Sequence, residues 1–252
     1  MRGWWRELAG LVLPVGCAGC GAGRELVCAG CRETLSGAGA GRVRPTAGPA
    51  GLPAVYAAAA YGDAVREVVL AHKERGALPL AGALGTALAA AVRAGEHGAA
   101  GAAGELVLVP VPSARWQVRA RGHDPARRIA LAASARLRRA GVPARVAPVL
   151  RLRRPVADQA GLGARQRREN LAGALGVCRD GARLTAGARL VLVDDLITTG
   201  ATLAEAARAV RAAGLVEGAR AGSVLRAAVV AAPADSFRGI RPAENPYRAK
   251  FF

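Results

Sequence analysis

Aromatic side chains are scarce in this chain: three Trp, three Tyr and three Phe among 252 residues, 4% of the total. Trp116 is the one Trp beyond the first five residues, so a surface that stacks successive bases on rings has few rings to work with. Lysine is nearly missing too, at positions 73 and 250 alone, and the basic residues are almost all arginine, a pattern of genome composition. Acid is short as well: 18 Asp and Glu stand against 36 Lys and Arg, for a net charge of +18 and a pI near 11.4. That balance favours phosphates, nucleic acid or acidic membrane surfaces as partners. No apolar run is expected to reach the roughly 18–20 residues that cross a bilayer. No Gly-Lys-Ser/Thr occurs, which excludes a Walker A loop, and no glycine spacing fits a dinucleotide fingerprint.

What is present begins with cysteine. Four of the five cysteines, Cys17, Cys20, Cys28 and Cys31, lie in "CAGCGAGRELVCAGC" as two C-x2-C pairs. That spacing makes two thiolate knuckles able to close a tetrahedral site, and Zn2+ is the expected ion, in a structural role because a four-sulfur shell leaves no open position. Two disulfides or an iron–sulfur cluster are the alternatives; disulfides need an oxidising compartment. Cys178 stands alone and reads as a small buried apolar residue. Ahead of the module, "MRGWWRELAGLVLPVGC" has the basic start, short apolar stretch and cysteine of a lipoprotein signal. Glu7 interrupts that stretch, however, and Pro14 stands where a cleavage box wants an aliphatic residue. Trp4, Trp5, Leu8, Leu11 and Val12 fall at helical spacing, so the segment reads as a short amphipathic helix and the protein as cytoplasmic. Residues 36–53 are rich in Gly, Pro and Ala without periodicity, the composition of a linker between a 1–35 module and a main domain.

From residue 54 to 232, apolar runs and helical patterns alternate, and 233–252 read as a tail. "LVLVPVP" (106–112), "RLVLVDD" (189–195) and "SVLRAAVVAA" (223–232) are expected strands, with a weaker one, broken by Pro148, over 144–150. Helices are expected over 61–76, with Val65, Val68, Val69 and His72 on one side, and over 78–95, 125–141 and 201–214. The chain is therefore expected to be α/β: a mostly parallel sheet flanked by helices, with a small N-terminal four-cysteine zinc module. Ligands of such sheets bind beyond the carboxyl ends of strands, where Asp194 and Asp195 fall. The stretch 115–154 concentrates the basic charge, with Asp124 as its single acid, and is either a solvated face or a polyanion surface.

The stretch "RLVLVDDLITTGATLAEA" carries the most chemistry. Its Thr-Thr-Gly-Ala-Thr loop enters a helix, offering backbone N–H groups, hydroxyls and the positive end of a helix dipole at one point, which suits a phosphate monoester. Gly200 allows a positive backbone torsion. Two carboxylates just before the loop accept hydrogen bonds from a vicinal diol, so the pair and the loop together fit the two ends of a ribose 5-phosphate.

"VLVDDLITTGAT" resembles the phosphoribosyl-diphosphate (PRPP) signature of type I phosphoribosyltransferases. With the cysteine module, "LAHKERG", "VPVPSARWQVRARGHDPARRIA" and "RLRRPVADQAGLGARQRRENLAGAL", in that order over nearly the whole chain, it resembles the ComF-like proteins. The resemblance implies a type I phosphoribosyltransferase fold. It implies that Asp194 and Asp195 hold the ribose hydroxyls, that Thr198, Thr199, Gly200, Ala201 and Thr202 hold the 5-phosphate, and that Arg121 and Gly122, with Arg115 and Arg119 nearby, meet the diphosphate. It further implies a mobile hood over 153–170 with Gln159, Arg165, Arg168 and Asn170, and an early helix with Lys73 and Gly76. This chain departs from the family pattern at His123, Asp124 and Pro125, where relatives carry an aromatic, Asn and Gln, and at Glu74, where they carry an aromatic. Two functions follow. One is PRPP-dependent transfer assisted by Mg2+, with arginines stabilising the departing diphosphate and no side-chain nucleophile required, consistent with the absence of a Ser-His-Asp or Cys-His arrangement. The other, also implied by the resemblance, is a non-catalytic competence factor that handles entering single-stranded DNA. The acceptor is not named by these residues, and a homo-oligomer stays open.

Overall fold

Short runs of Val and Leu become buried strands over Leu106–Pro110 and Arg189–Leu196, and proline follows or closes several strands, as at Pro110 and Pro233. The structure is a computed structural model that describes residues 16–46, 48–96, 104–157, 161, 163–216 and 225–237. Its strands are β1 (Gly41–Val43), β2 (Ala54–Ala60), β3 (Leu106–Pro110), β4 (Ala144–Val146), β5 (Leu150–Leu152), β6 (Leu175–Val177), β7 (Arg189–Leu196) and β8 (Arg226–Ala232). Its helices are α1 (Ala29–Thr34), α2 (Asp63–Glu74), α3 (Ala81–Glu96), α4 (Arg115–Arg121), α5 (Pro125–Arg139), α6 (Ala164–Leu171), α7 (Gly181–Thr185) and α8 (Ala201–Ala212).

Six strands pair in the order β1-β2-β8-β7-β3-β4; only β1 runs antiparallel to its neighbour, so the expected mostly parallel sheet is present. Both faces are covered. Leu106, Leu108, Val191, Val193, Ala228 and Val230 pack on one side with α2, α3 and α5, while the alternate residues Val107, Val109, Leu190, Leu192, Ala227 and Val229 pack on the other with α8. This period-two division is what a strand buried on both faces produces. The chain leaves β3 through α5 toward one edge, to β4, and leaves β7 through α8 in the other direction, to β8. The paths diverge between β3 and β7, and a crevice opens at their carboxyl ends, the position where open α/β sheets take ligands.

Several elements differ from the sequence expectation. Part of the 36–53 stretch is built into the sheet as edge strand β1, with Val43 buried opposite Val55. The strand β2 escapes sequence reading because five of its seven residues are alanine, which carries little strand preference. The weak strand over 144–150 divides: Pro148 has no N–H to extend the ladder, so β4 stops at Val146 and β5 starts a separate antiparallel hairpin with β6. Pro79 turns the start of the 78–95 helix into a 3-10 turn, Leu78–Leu80. The stretch Leu78–Glu96 also corrects the expectation about membranes, because it is 19 residues long and an 18-residue window in it has a mean hydropathy of 1.3, long and apolar enough to cross one. It is instead packed between sheet and α5, with Leu84, Ala87, Leu88 and Ala91 fully buried. Gly85 sits at the α3–α5 contact, where a Cβ would come within 2.9 Å of the Ala132 backbone. The expected helix at Trp4, Trp5, Leu8, Leu11 and Val12 lies outside the described residues, as does most of the tail.

Candidate functional site

The four cysteines come together as their spacing requires. Their sulfurs all lie within 4.8 Å of one another, and Cys20 and Cys28 are 3.6 Å apart. Tetrahedral zinc with Zn–S bonds of about 2.3 Å needs sulfur edges of about 3.8 Å, so the cluster fits such an ion. The N–H groups of Gly19 and Cys28 donate to the Cys17 sulfur at 3.4 and 3.3 Å, an arrangement that favours a thiolate. Burial opposes ionisation of Cys17, but the backbone donors of Cys28, Cys20 and Gly19 outweigh it and lower its pKa to about 6. Burial, and then the neighbouring thiols, push Cys31 in the opposite direction. Cys17, Cys31 and Leu35 are buried with Val65 and Val68 of α2, and a Cβ at Gly19 would meet Ala64 at 3.1 Å. The module thus seats the helix that carries Lys73.

The crevice at the ends of β3 and β7 is a cavity of about 460 Å3. Asp194 and Asp195 reach it from the end of β7, Thr198 and Thr202 from the loop and α8, Lys73 and Glu74 from the end of α2, Trp116, Gln117 and Arg121 from α4, and Arg167 from α6. Val156, Leu171 and Leu175 close it from the β5–β6 side, so β5, β6, α6 and residues 153–157 form a hood. Asp195 is buried, and Lys73 Nζ lies 2.8 Å from its Oδ2. The charge of Asp195 is the main reason the Lys73 ammonium holds its proton more tightly than usual. Asp194 is half-buried, and its Oδ1 accepts from the Asp195 backbone N–H at 2.8 Å. Burial first, and the Asp195 charge second, raise the Asp194 carboxyl well above the ordinary carboxylate range, against the pull of Lys73. Two acids facing one ammonium leave this end of β7 ready for another positive or hydrogen-bond-donating group.

The threonine loop has the conformation that a glycine permits. Gly200, with φ of 78°, turns the chain into α8, and a Cβ there would meet Leu52 at 2.9 Å. The N–H of Ala201 points back to the Thr199 hydroxyl at 3.4 Å, and Thr198 is exposed. Opposite, Arg121 is mostly buried and makes a two-pronged ion pair with Glu74, at 2.9 and 2.7 Å. Gly122, with φ of 73°, ends α4, and His123 follows with ring nitrogens 3.1 Å from the carbonyl oxygens of Arg121 and of His72. Asp124 accepts from the Arg127 N–H at 3.0 Å and caps α5, which starts on Pro125. The departures noted in the sequence therefore hold this loop and start a helix.

No protein-family model matches the chain, and a search of curated proteins finds no match.

The remaining expected site residues are more scattered. Arg115 and Arg119 are exposed on α4 and do not line the crevice. Arg165 faces solvent and pairs with Glu169 at 2.7 Å. Arg168 is turned to a different groove, against Glu205, Arg208 and Arg211 of α8. Asn170 braces the hood from within, its side chain exchanging hydrogen bonds of 3.1 and 3.0 Å with the Ala157 backbone, while Arg154 donates to the Asn170 and Ala172 carbonyls at 2.9 Å each. Gln159 lies outside the described residues. The residue that α6 turns into the crevice is Arg167, absent from the expected set, together with Leu171 four positions on. Helical phase carries part of that signal, because Arg167 and Leu171, at i and i+4, share a face and Arg165 lies on the opposite one. Glu205 was also not expected: it is buried, accepts from the Leu175 N–H at 3.0 Å and holds the hood strand to α8.

Proposed function

We propose that the chain is a ComF-like type I phosphoribosyltransferase that binds PRPP with Mg2+ and transfers its phosphoribosyl group to an acceptor. The observation that carries this reading is the meeting of Asp194 and Asp195, the threonine loop and Arg121 around one crevice at the divergence of β3 and β7. Asp194 and Asp195 accept hydrogen bonds from the ribose hydroxyls. The N–H groups at the start of α8 and the Thr198 and Thr202 hydroxyls hold the 5-phosphate. Lys73, 2.8 Å away, pairs with Asp195 and orients it. Two acids against one ammonium also fit a divalent cation, and Mg2+, when bound, supplies Lewis-acid charge for the diol and the diphosphate. As the anomeric carbon gains positive character, Arg121 stabilises the charge leaving with the diphosphate, exchanging Glu74 for it. The hood excludes water, which would otherwise take the acceptor's place. The cysteine module holds structural Zn2+, and the protein works in the cytoplasm.

Incubation with PRPP, Mg2+ and a panel of bases and amines tests this. Diphosphate release that requires one acceptor and is abolished by Asp195→Asn is the expected result; no release with any acceptor would count against catalysis. A second reading, a non-catalytic factor in single-stranded DNA uptake, has in its favour the exposed Arg115, Arg119, Arg127 and Arg128 on the consecutive helices α4 and α5. Salt-dependent strand binding that survives Asp195→Asn would support it.

A further inference from the structure

Arg167 is unusual among the guanidinium groups of this site. Its Nη1 donates to the Thr198 hydroxyl at 2.8 Å, linking the hood helix α6 to the first threonine of the phosphate loop. Its Nε is buried and, among the described residues, has no partner. A buried N–H without an acceptor is costly, and a guanidinium presents Nε and Nη as one rigid fork that matches two oxygens of a phosphate. Thr198, by contrast, offers one neutral oxygen and takes Nη1, which leaves the edge formed by Nε and Nη2, the one that grips two phosphate oxygens, outside its reach. The group also stands in the crevice with Asp194, Asp195 and Thr202, at the mouth of the α8 N-terminus.

We propose that Arg167 is the hood's ligand for the 5-phosphate: a phosphomonoester seated in the threonine loop accepts from the Nε–Nη2 edge of Arg167 and satisfies Nε. Backbone N–H groups hold the phosphate from below and Arg167 from above. The arginine flanked by Arg165 and Arg168 thus binds ligand, whereas its neighbours face solvent and α8. This inference rests on the ribose-phosphate reading of the site.

Calorimetry with ribose 5-phosphate, PRPP and inorganic diphosphate, each with Mg2+, on full-length wild type, Arg167→Gln, Arg167→Lys and the exposed control Arg183→Gln is the test. Loss of a charge-assisted hydrogen bond predicts that Arg167→Gln weakens ribose 5-phosphate and PRPP alike, by about ten- to a hundred-fold, and leaves diphosphate unchanged. Arg167→Lys, which keeps the charge and loses the fork, should fall between it and wild type, with Arg183→Gln at wild-type affinity. Should wild type bind the ribose phosphates and both Arg167 variants bind ribose 5-phosphate within twofold of it, the inference alone is overturned. A wild type that binds neither ribose phosphate overturns it together with the reading beneath it.

Discussion

Replacing Asp194 with asparagine should stabilise the ligand-free protein at neutral pH while removing its affinity for PRPP. Asp194 sits half-buried at the end of β7 beside the buried Asp195, whose nearest cation, Lys73, is 2.8 Å away and does not serve both acids equally. Burial and the Asp195 charge raise the Asp194 carboxyl well above its ordinary value. An acid that holds its proton more tightly folded than unfolded costs nothing below its unfolded pKa of about 3.9. Its cost grows as the pH rises from there to the folded pKa, and is constant above it. Asparagine does not titrate, and its oxygen still accepts the 2.8 Å hydrogen bond from the Asp195 N–H. Each tenfold increase in proton affinity is worth about 1.4 kcal/mol, or about 3–6 °C of Tm in a chain of this size. Thermal melts of wild type and Asp194→Asn in magnesium-free buffer from pH 3 to 8 should therefore diverge, the two alike at pH 3 and the variant the more stable at pH 8. A variant less stable than wild type at pH 8, or a difference that does not grow with pH, would refute the reasoning.

Other outcomes follow from the same geometry. Metal analysis should find one zinc per chain, and Cys31→Ser should lose it and lower the Tm, because that sulfur lies in the core beside α2. Gly85→Val should lower the Tm by about 2–12 °C, the effect of about 1–3 kcal/mol of overpacking where a Cβ already meets the Ala132 backbone at 2.9 Å. Glu205→Ala should cost about 1–3 kcal/mol by leaving the Leu175 N–H unpaired, and limited proteolysis should then cut the hood faster. The Glu205 carboxyl is buried, which raises its pKa, but the Arg208 and Leu175 donors outweigh burial and lower it. Its stabilisation is thus complete above a pH of about 4.3 and lost as the pH falls through the depressed value, so the wild-type and Glu205→Ala melts should converge in acid.

Legibility in the sequence followed side-chain chemistry. The strands β3 and β7 were readable because runs of Val and Leu ended on proline or aspartate, and β2 was not because alanine is neutral between strand and helix. The two aspartates were legible as the end of a buried strand, and the structure gives one of them a partner in Lys73, 2.8 Å from Asp195. The cysteine cluster was legible from spacing alone. The hood was expected only through the resemblance, and which of its arginines enters the crevice was not legible: an arginine-rich helix gives no amphipathic contrast by which to tell Arg167 from Arg165 and Arg168, and only the packing of Leu171 fixes its phase. The Arg121–Glu74 and Glu205–Leu175 pairs join residues 47 and 30 positions apart, which no local pattern reveals.

The most direct measurement is calorimetric titration of wild type and Asp195→Asn with PRPP in the presence of Mg2+. Saturable binding at one site per chain by wild type, lost in Asp195→Asn while its melt stays cooperative, is what the diol clamp and phosphate loop predict. No binding by folded wild type at millimolar PRPP would contradict the account.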